Sequence, residues 1–409
     1  MTASISTRTQ QSVMTASFGG WAGDAFDYQL FSLSLPILLA TWTLTPAMAG
    51  AISTASLIGA ALGGMAGGAL SDRFGRVRLL QISIAVVALT SLFCAFVAEP
   101  WQLLLARAVQ GLGFGAEWSV GAVLLAEIAP SDRRGRFLGI MQSAWAAGWA
   151  GAVVVYLAAT AFLPAEVAWR VMFGIGILPA GLVLWIRRSI KPPVPATPIP
   201  ATRAVRAEPL ADAPAFLSRN LLLSALVGLA AHGGYHSLFT WLPTLLRTTR
   251  GYPSTLTGAV LLCMTVAFAA GCILAGRFAD RIGRRPVIAL FAAGAVAATA
   301  VFASVEANMA VTLALALAVG FAAGGVPAVL GAWFSELFPA AIRGASVGFA
   351  YNAGRMASAV LPGIIGWASA FVGLEVLIGI VAAASYGAIV VLLPLLPETH
   401  GSSLAGAQA

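Results

Sequence analysis

Gly67-Gly68-Ala69-Leu70-Ser71-Asp72-Arg73-Phe74-Gly75-Arg76 and, much later, Gly276-Arg277-Phe278-Ala279-Asp280-Arg281-Ile282-Gly283-Arg284-Arg285 are two copies of one charged turn, their aspartates 208 positions apart. A second pair, Glu127-x-x-Pro130-x-x-x-Arg134-Gly135 and Glu336-x-x-Pro339-x-x-x-Arg343-Gly344, repeats at an offset of 209. Two unrelated charged loops that share one offset in an otherwise apolar chain make its two halves copies of a single membrane unit.

Of the 409 residues, 59% are hydrophobic and 9% charged, well outside the soluble average of roughly half apolar and a quarter charged. Apolar runs fall near residues 17–41, 47–70, 78–98, 101–129, 136–163, 168–187, 219–246, 255–276, 286–304, 308–336, 343–371 and 374–396. Most are near the roughly 20 residues that cross a bilayer as a helix. The expected fold is an all-α membrane protein of twelve transmembrane helices in two six-helix pseudo-repeats, over residues 1–189 and 217–409. Between them, residues 190–216 turn to proline, alanine and arginine (Lys191-Pro192-Pro193-Val194-Pro195, then Pro198, Pro200, Pro209 and Pro214) and read as a semi-extended cytoplasmic linker. Glycines inside the spans, Gly59, Gly63, Gly64, Gly67 and Gly68 on the second and Gly111, Gly113 and Gly115 on the fourth, read as faces where helix backbones approach closely.

Of the 23 lysines and arginines, 18 lie in the amino end, the even-to-odd loops and the linker. Arg170, Arg247 and Arg250 fall on the opposite side, and Arg107 and Arg355 fall inside spans. The positive-inside rule then sets both termini in the cytoplasm of an inner-membrane protein. The net charge of +8 is accounted for by this topology and by contact with anionic lipid, with no nucleic-acid surface required. Residues 1–17 lack the short apolar core of a removable signal peptide, so the first span is expected to be retained. Cys94, Cys263 and Cys272 have no metal-binding or redox spacing and read as apolar packing. Nothing demands more than a monomer.

The paired Gly-x-x-x-Asp-Arg-x-Gly-Arg loops resemble those of the major facilitator superfamily. So do Arg107-Ala108-Val109-Gln110-Gly111 in the fourth span, Trp169-Arg170 opening the sixth, and Pro397-Glu398-Thr399-x-Gly401 after the last. Within that family, Gly20-Trp21-x-x-Asp24-x-x-Asp27, Gly115-Ala116-Glu117-Trp118-Ser119 and Tyr351-Asn352-x-Gly354-Arg355 are similar to the metabolite:proton and sialate:proton symporters, a group that includes lactate, pyruvate and sialic acid permeases. His236 and Pro243-Thr244 keep the spacing of lactate permeases, while Phe239-Thr240 replace their Gln-Asp. The resemblance implies a proton-coupled carrier of an organic acid, and the departure argues against a lactate-like one and leaves its size open. It also links Arg107 to proton coupling, and it implies that the repeated loops latch the cytoplasmic side when the carrier faces outward.

A charge in the hydrocarbon region costs at least about 2.5–3.5 kcal/mol, so each one is a candidate for function. Asp24 and Asp27 share a helical face, an arrangement suited to loading and releasing a proton; the plainer alternative leaves Asp24 solvated and Asp27 alone buried. Glu117 lies mid-span with nothing local in sequence to neutralise it and is a further candidate for protonation. Arg107 reads equally as a structural arginine that satisfies backbone carbonyls. Arg355 is the candidate anion clamp, since a guanidinium holds a carboxylate bidentately, with Asn352 one turn away. Its alternative is a salt bridge to Asp24 or Asp27 that only stabilises packing. His236, Tyr351, Tyr235 and Trp118 complete the expected substrate lining. His232 and His236 share a face without a third ligand, so a metal is not expected.

The gate set is Asp72, Arg73, Arg76, Asp280, Arg281, Arg284, Glu127, Arg134, Glu336 and Arg343; in it the aspartates are expected to accept hydrogen bonds from a neighbouring helix amino end. The leading expectation is proton-coupled uptake of a small carboxylate by alternating access, with the proton as coupling ion and no cofactor. Partners are the anion, protons and membrane lipid. Two readings stand beside it: a proton-coupled antiporter that exports aromatic or drug-like compounds, and a sensor that binds ligand without moving it. With no nucleotide-binding loop, and with its ionisable groups already engaged in coupling, the chain does not read as an enzyme.

Overall fold

The computed structural model describes residues 7–42, 44–74, 76–178, 181, 219–305, 308–339 and 342–401, and among them there is no strand. The first half contributes α1 (Thr7–Thr41), α2 (Pro46–Phe74), α3 (Arg76–Cys94), α4 (Pro100–Ile128), α5 (Arg134–Phe162) and α6 (Ala165–Ile175). The second contributes α7 (Arg219–Phe239), α8 (Ser254–Ile282), α9 (Arg284–Ser304), α10 (Met309–Leu337), α11 (Arg343–Ser358) and α12 (Leu374–Leu392). The stretch 190–216 expected as a linker lies outside the described residues.

By length and apolarity alone, α2, α5, α7 with its continuation to Thr249, α8, α9, α10 and α12 can cross a membrane. Several of the remaining helices carry the chain's interior polar groups, which lowers their apolarity: Asp24, Asp27 and Gln29 on α1, Arg107 and Gln110 on α4, Asn352 and Arg355 on α11 are all buried. Outward faces present Leu89, Phe162, Val266, Leu290 and Val391, the apolar shell that a bilayer solvates.

Proline explains where helices depart from a single rod. The expected eleventh span divides after Ser358 and resumes over Val360–Ala368; Pro362 lacks an N–H and its ring crowds the Ser358 carbonyl. Pro243 follows α7 and leads into a wide turn over Leu245–Thr249.

The duplicated sequence packs as a duplicated structure. A Cβ at Gly115 of α4 would lie 1.7 Å from the Ala60 carbonyl of α2, and one at Gly324 of α10, 209 positions on, would lie 2.3 Å from the Phe268 carbonyl of α8. Only glycine permits either approach. The halves also meet: Gly139 of α5 packs on Cys272 and Gly276 of α8, and Gly50 of α2 packs on Pro362.

Candidate functional site

Between the halves, Trp21 of α1, Phe114 of α4 and Gln142 and Trp145 of α5 face His232, Tyr235 and His236 of α7, Phe268 of α8, Pro327 of α10, Tyr351 and Arg355 of α11, and Tyr386 of α12 around one cavity. Its volume is about 50 Å³, room for a few water-sized bodies and well below the ~300–1,000 Å³ of open ligand clefts. The aromatic side chains have closed on one another: Trp21 and Trp145 lie 4.7 Å apart by centroid, and Trp145 meets Tyr235 edge-on at 5.9 Å.

Arg355 is the charged residue of this wall and is 2% exposed. Its guanidinium carbon lies 4.9 Å from the Tyr351 ring centroid and 5.2 Å from that of Phe114. No described carboxylate forms an ion pair with it, and its Nη1 has no hydrogen-bond partner among the described residues. Asn352, expected beside it in the site, is fully buried but does not line the cavity. Its amide donates to the Gly348 carbonyl at 2.9 Å, and its side chain lies against Gly64 of α2.

His236 joins the cavity to the seam between halves. Its Nδ1 lies 2.9 Å from the Tyr28 hydroxyl of α1, while its Nε2 has no partner among the described residues. One residue along each helix, Gln29 Nε2 donates to the Tyr235 hydroxyl at 2.9 Å, which also accepts from Trp145 Nε1. Ser32 extends the seam by donating to the Phe239 and Thr240 carbonyls. The stack continues inward through His232, whose ring is 4.4 Å from that of Tyr351.

Asp27 turns away from this chamber. Ser91 Oγ donates to one carboxylate oxygen at 2.6 Å, and Arg107 Nη1 lies 3.3 Å from the other. Arg107 also donates to Gln110 Oε1 and sits 4.7 Å from the Phe31 ring centroid. The partner of Asp27 is therefore Arg107 and not Arg355, and Arg107 bonds side chains where backbone carbonyls were the alternative. Asp24 is buried on α1 and also lies off the cavity. For Glu117 and Trp118, as for Asp72, Arg73, Arg76 and Glu127, the side chains lie outside what the structure describes.

A second polar cluster closes one end of the bundle. Asp280 accepts from the backbone N–H groups of Gly135 and Arg136, both at 2.8 Å, at the amino end of α5. Glu336 receives Arg134 at 2.7 Å, Arg284 at 2.9 and 3.1 Å, and the Thr399 hydroxyl at 2.6 Å. Arg284 spans both acids, reaching Asp280 at 2.7 Å. Arg343 sets its Nε on the Ser335 carbonyl at 2.8 Å, the counterpart of Arg134 Nε on Ala126 at 3.3 Å. Arg281 is exposed. Glu398 caps the amino end of α9: burial opposes its charge, but N–H donors from Arg284, Arg285, His400 and Thr399 hold its carboxyl below the ordinary glutamate range.

The model of the Major Facilitator Superfamily matches residues 18–306 and again 253–408. The chain belongs to the major facilitator superfamily. It is 39% identical over 395 residues to a probable 4-methylmuconolactone transporter of Cupriavidus pinatubonensis, covering 97% of this chain and 92% of that one. It is 30% identical over 379 residues to the niacin transporter of Acinetobacter baylyi, with 85% and 84% covered. Its fold is similar to that of the proton:xylose symporter XylE bound to 6-bromo-6-deoxy-D-glucose, at a TM-score of 0.78 and 20% identity over 98% of each chain. This is an all-α membrane transporter and not an enzyme.

In this transporter, sequence reasoning missed Trp21, Phe114, Gln142, Trp145, Phe268, Pro327 and Tyr386 as cavity residues. Aromatics in an apolar span carry no periodic contrast that separates a lipid face from a cavity face. Tyr28 did carry a signal. It stands 208 positions before His236, the offset of the charged loops, so the two are repeat mates and touch where a two-fold axis would pass between them.

Proposed function

We propose that the protein is a proton-coupled symporter that takes up a small, ring-bearing or unsaturated carboxylate across the inner membrane, both termini being cytoplasmic. The observation that carries the reading is Arg355: a buried guanidinium whose Nη1 has no partner among the described residues, walled by aromatic rings, facing a cavity between the halves. A buried cation with no anion among the described residues is costly, and a substrate carboxylate supplies one. The flat aromatic walls suit a planar acid, and the organic acids moved by the relatives, by their names, agree with that class.

Asp27, with Arg107, is the proposed proton site. Neutralising Asp27 removes one member of the Asp27–Arg107 pair. The next residue on α1, Tyr28, points about 100° away around the helix and bonds the cavity residue His236. The proton site and the substrate site thus share one helix, which supports coupling through movement of α1. Residues 1–189 and 217–409 would rock as two bodies about the cavity, with the Asp280–Glu336 cluster as the cytoplasmic latch and its mates Asp72, Arg73, Arg76, Glu127 and Arg343 in the same role.

Proteoliposomes test this with labelled benzoate and 4-hydroxybenzoate. Accumulation above equilibrium under an acid-outside gradient is expected. Binding without accumulation would make the protein a sensor, and accumulation driven by the opposite gradient would make it an antiporter.

A further inference from the structure

Three buried polar atoms on the cavity wall lack a hydrogen-bond partner among the described residues: Arg355 Nη1, His236 Nε2 and the Tyr386 hydroxyl. Their residues are 2%, 4% and 1% exposed. Leaving such groups dry and unpaired is unfavourable, so three around one small cavity call for a ligand with more than one polar end. A carboxylate answers the arginine and leaves two.

The remaining two line the same cavity. The Tyr386 ring packs on Gly234, where an added Cβ would come within 2.7 Å of it, and His236 is two residues further along α7. Arg355 belongs to another level: its neighbour Gly354 packs against Gly228 and Leu229, roughly 10 Å back along the helix axis, a gap that the long arginine and tyrosine side chains partly close. Trp145 and Phe268 line the same cavity. The His236 subsite accepts either sense of hydrogen bond. When Nδ1 accepts from Tyr28, Nε2 carries the proton and donates; when Nδ1 donates to Tyr28, Nε2 accepts.

We propose that His236 and Tyr386 form a specificity subsite that reads a hydroxyl or carbonyl substituent on the far side of a ring acid whose carboxylate Arg355 holds. The proposal rests on the carboxylate reading of the cavity and adds to it a requirement for a second polar group. An acid with a bare ring leaves both groups desolvated and unpaired, and a site built to hydrogen-bond a substrate discriminates strongly against the analogue that lacks the bond.

The test is calorimetric titration of the full-length protein in detergent with benzoate, 3-hydroxybenzoate and 4-hydroxybenzoate. At least one hydroxylated acid should bind tenfold or more tightly than benzoate. Tyr386→Phe, which removes one oxygen atom, should reduce that ratio to below threefold, whereas Arg355→Lys should weaken all three acids by a similar factor. Equal affinity of the wild type for the three acids overturns the subsite and leaves the arginine clamp standing. An equal loss for benzoate and the hydroxylated acids in Tyr386→Phe assigns Tyr386 to packing and also overturns it. No binding of any of them overturns both the clamp and the subsite.

Discussion

At the scale of residues, two buried arginines have opposite surroundings. Arg107 has an aspartate and a glutamine amide; Arg355 has aromatic faces and a nitrogen with no partner among the described residues. Replacing Arg355 with lysine keeps the charge and loses the planar fork, so carboxylate affinity should fall by about tenfold or more, ~1.4 kcal/mol per decade. Expression and melting temperature should move far less; equal loss of folding and binding would return Arg355 to a packing role. Asp27→Asn removes the carboxylate while keeping a polar partner for Ser91. It should preserve substrate exchange across proteoliposomes and abolish gradient-driven accumulation, and unchanged accumulation would take Asp27 out of coupling. Both positions were legible in the sequence because charges inside apolar runs are rare. Tyr386 was not: a hydroxyl-bearing aromatic in an apolar span is ordinary, and its place on the cavity wall emerges only in the fold, where it packs on Gly234, 152 positions away in sequence.

At the scale of elements, glycine seams and helix amino ends do most of the positioning. Gly115→Val would drive a side chain into the Ala60 carbonyl, and overpacking of this kind costs about 1–3 kcal/mol. A lowered melting temperature in detergent should report it; an unchanged one would mean that α2 and α4 can separate freely. The capping carboxylate of Glu398 gives a pH signature. Its folded carboxyl titrates below the 4.5 of a free glutamate, so its stabilisation is complete above that value and is lost as pH falls through the lower folded one. Thermal melts between pH 3 and about 7 should therefore show a shallower acid limb in Glu398→Gln than in the wild type, and superimposable limbs would contradict the cap. Helix existence and the Asp280 cap were readable from run length and from the repeated charged turn. The helix ends were less so: α1 begins at Thr7, within a polar stretch that carries no apolar signal, and the break after Ser358 needed Pro362 to be weighed against an otherwise continuous apolar run.

At the scale of the whole molecule, the halves touch at both ends and the cavity between them is contracted. One end is closed by Asp280 on the amino end of α5 and by Arg134 on Glu336, the other by Ser32 on the Phe239 and Thr240 carbonyls at the end of α7 and by Gly50 on Pro362. Asp280→Asn removes the anion from a helix amino end and from Arg284. Spin labels on the facing ends of α5 and α8 should then show a longer and broader distance distribution, and an unaltered distribution would mean that the cluster does not hold this end shut. The duplicated offset made the two-fold plan readable from sequence, since each charged loop predicts its mate. The central chamber was only partly readable, because its walls are assembled from eight helices of both halves. The most direct measurement is a structure with a bound ring carboxylate. The account predicts the carboxylate within hydrogen-bonding distance of Arg355 Nη1, with its ring between the aromatic walls; the acid bound elsewhere, with Arg355 still unpartnered, would contradict it.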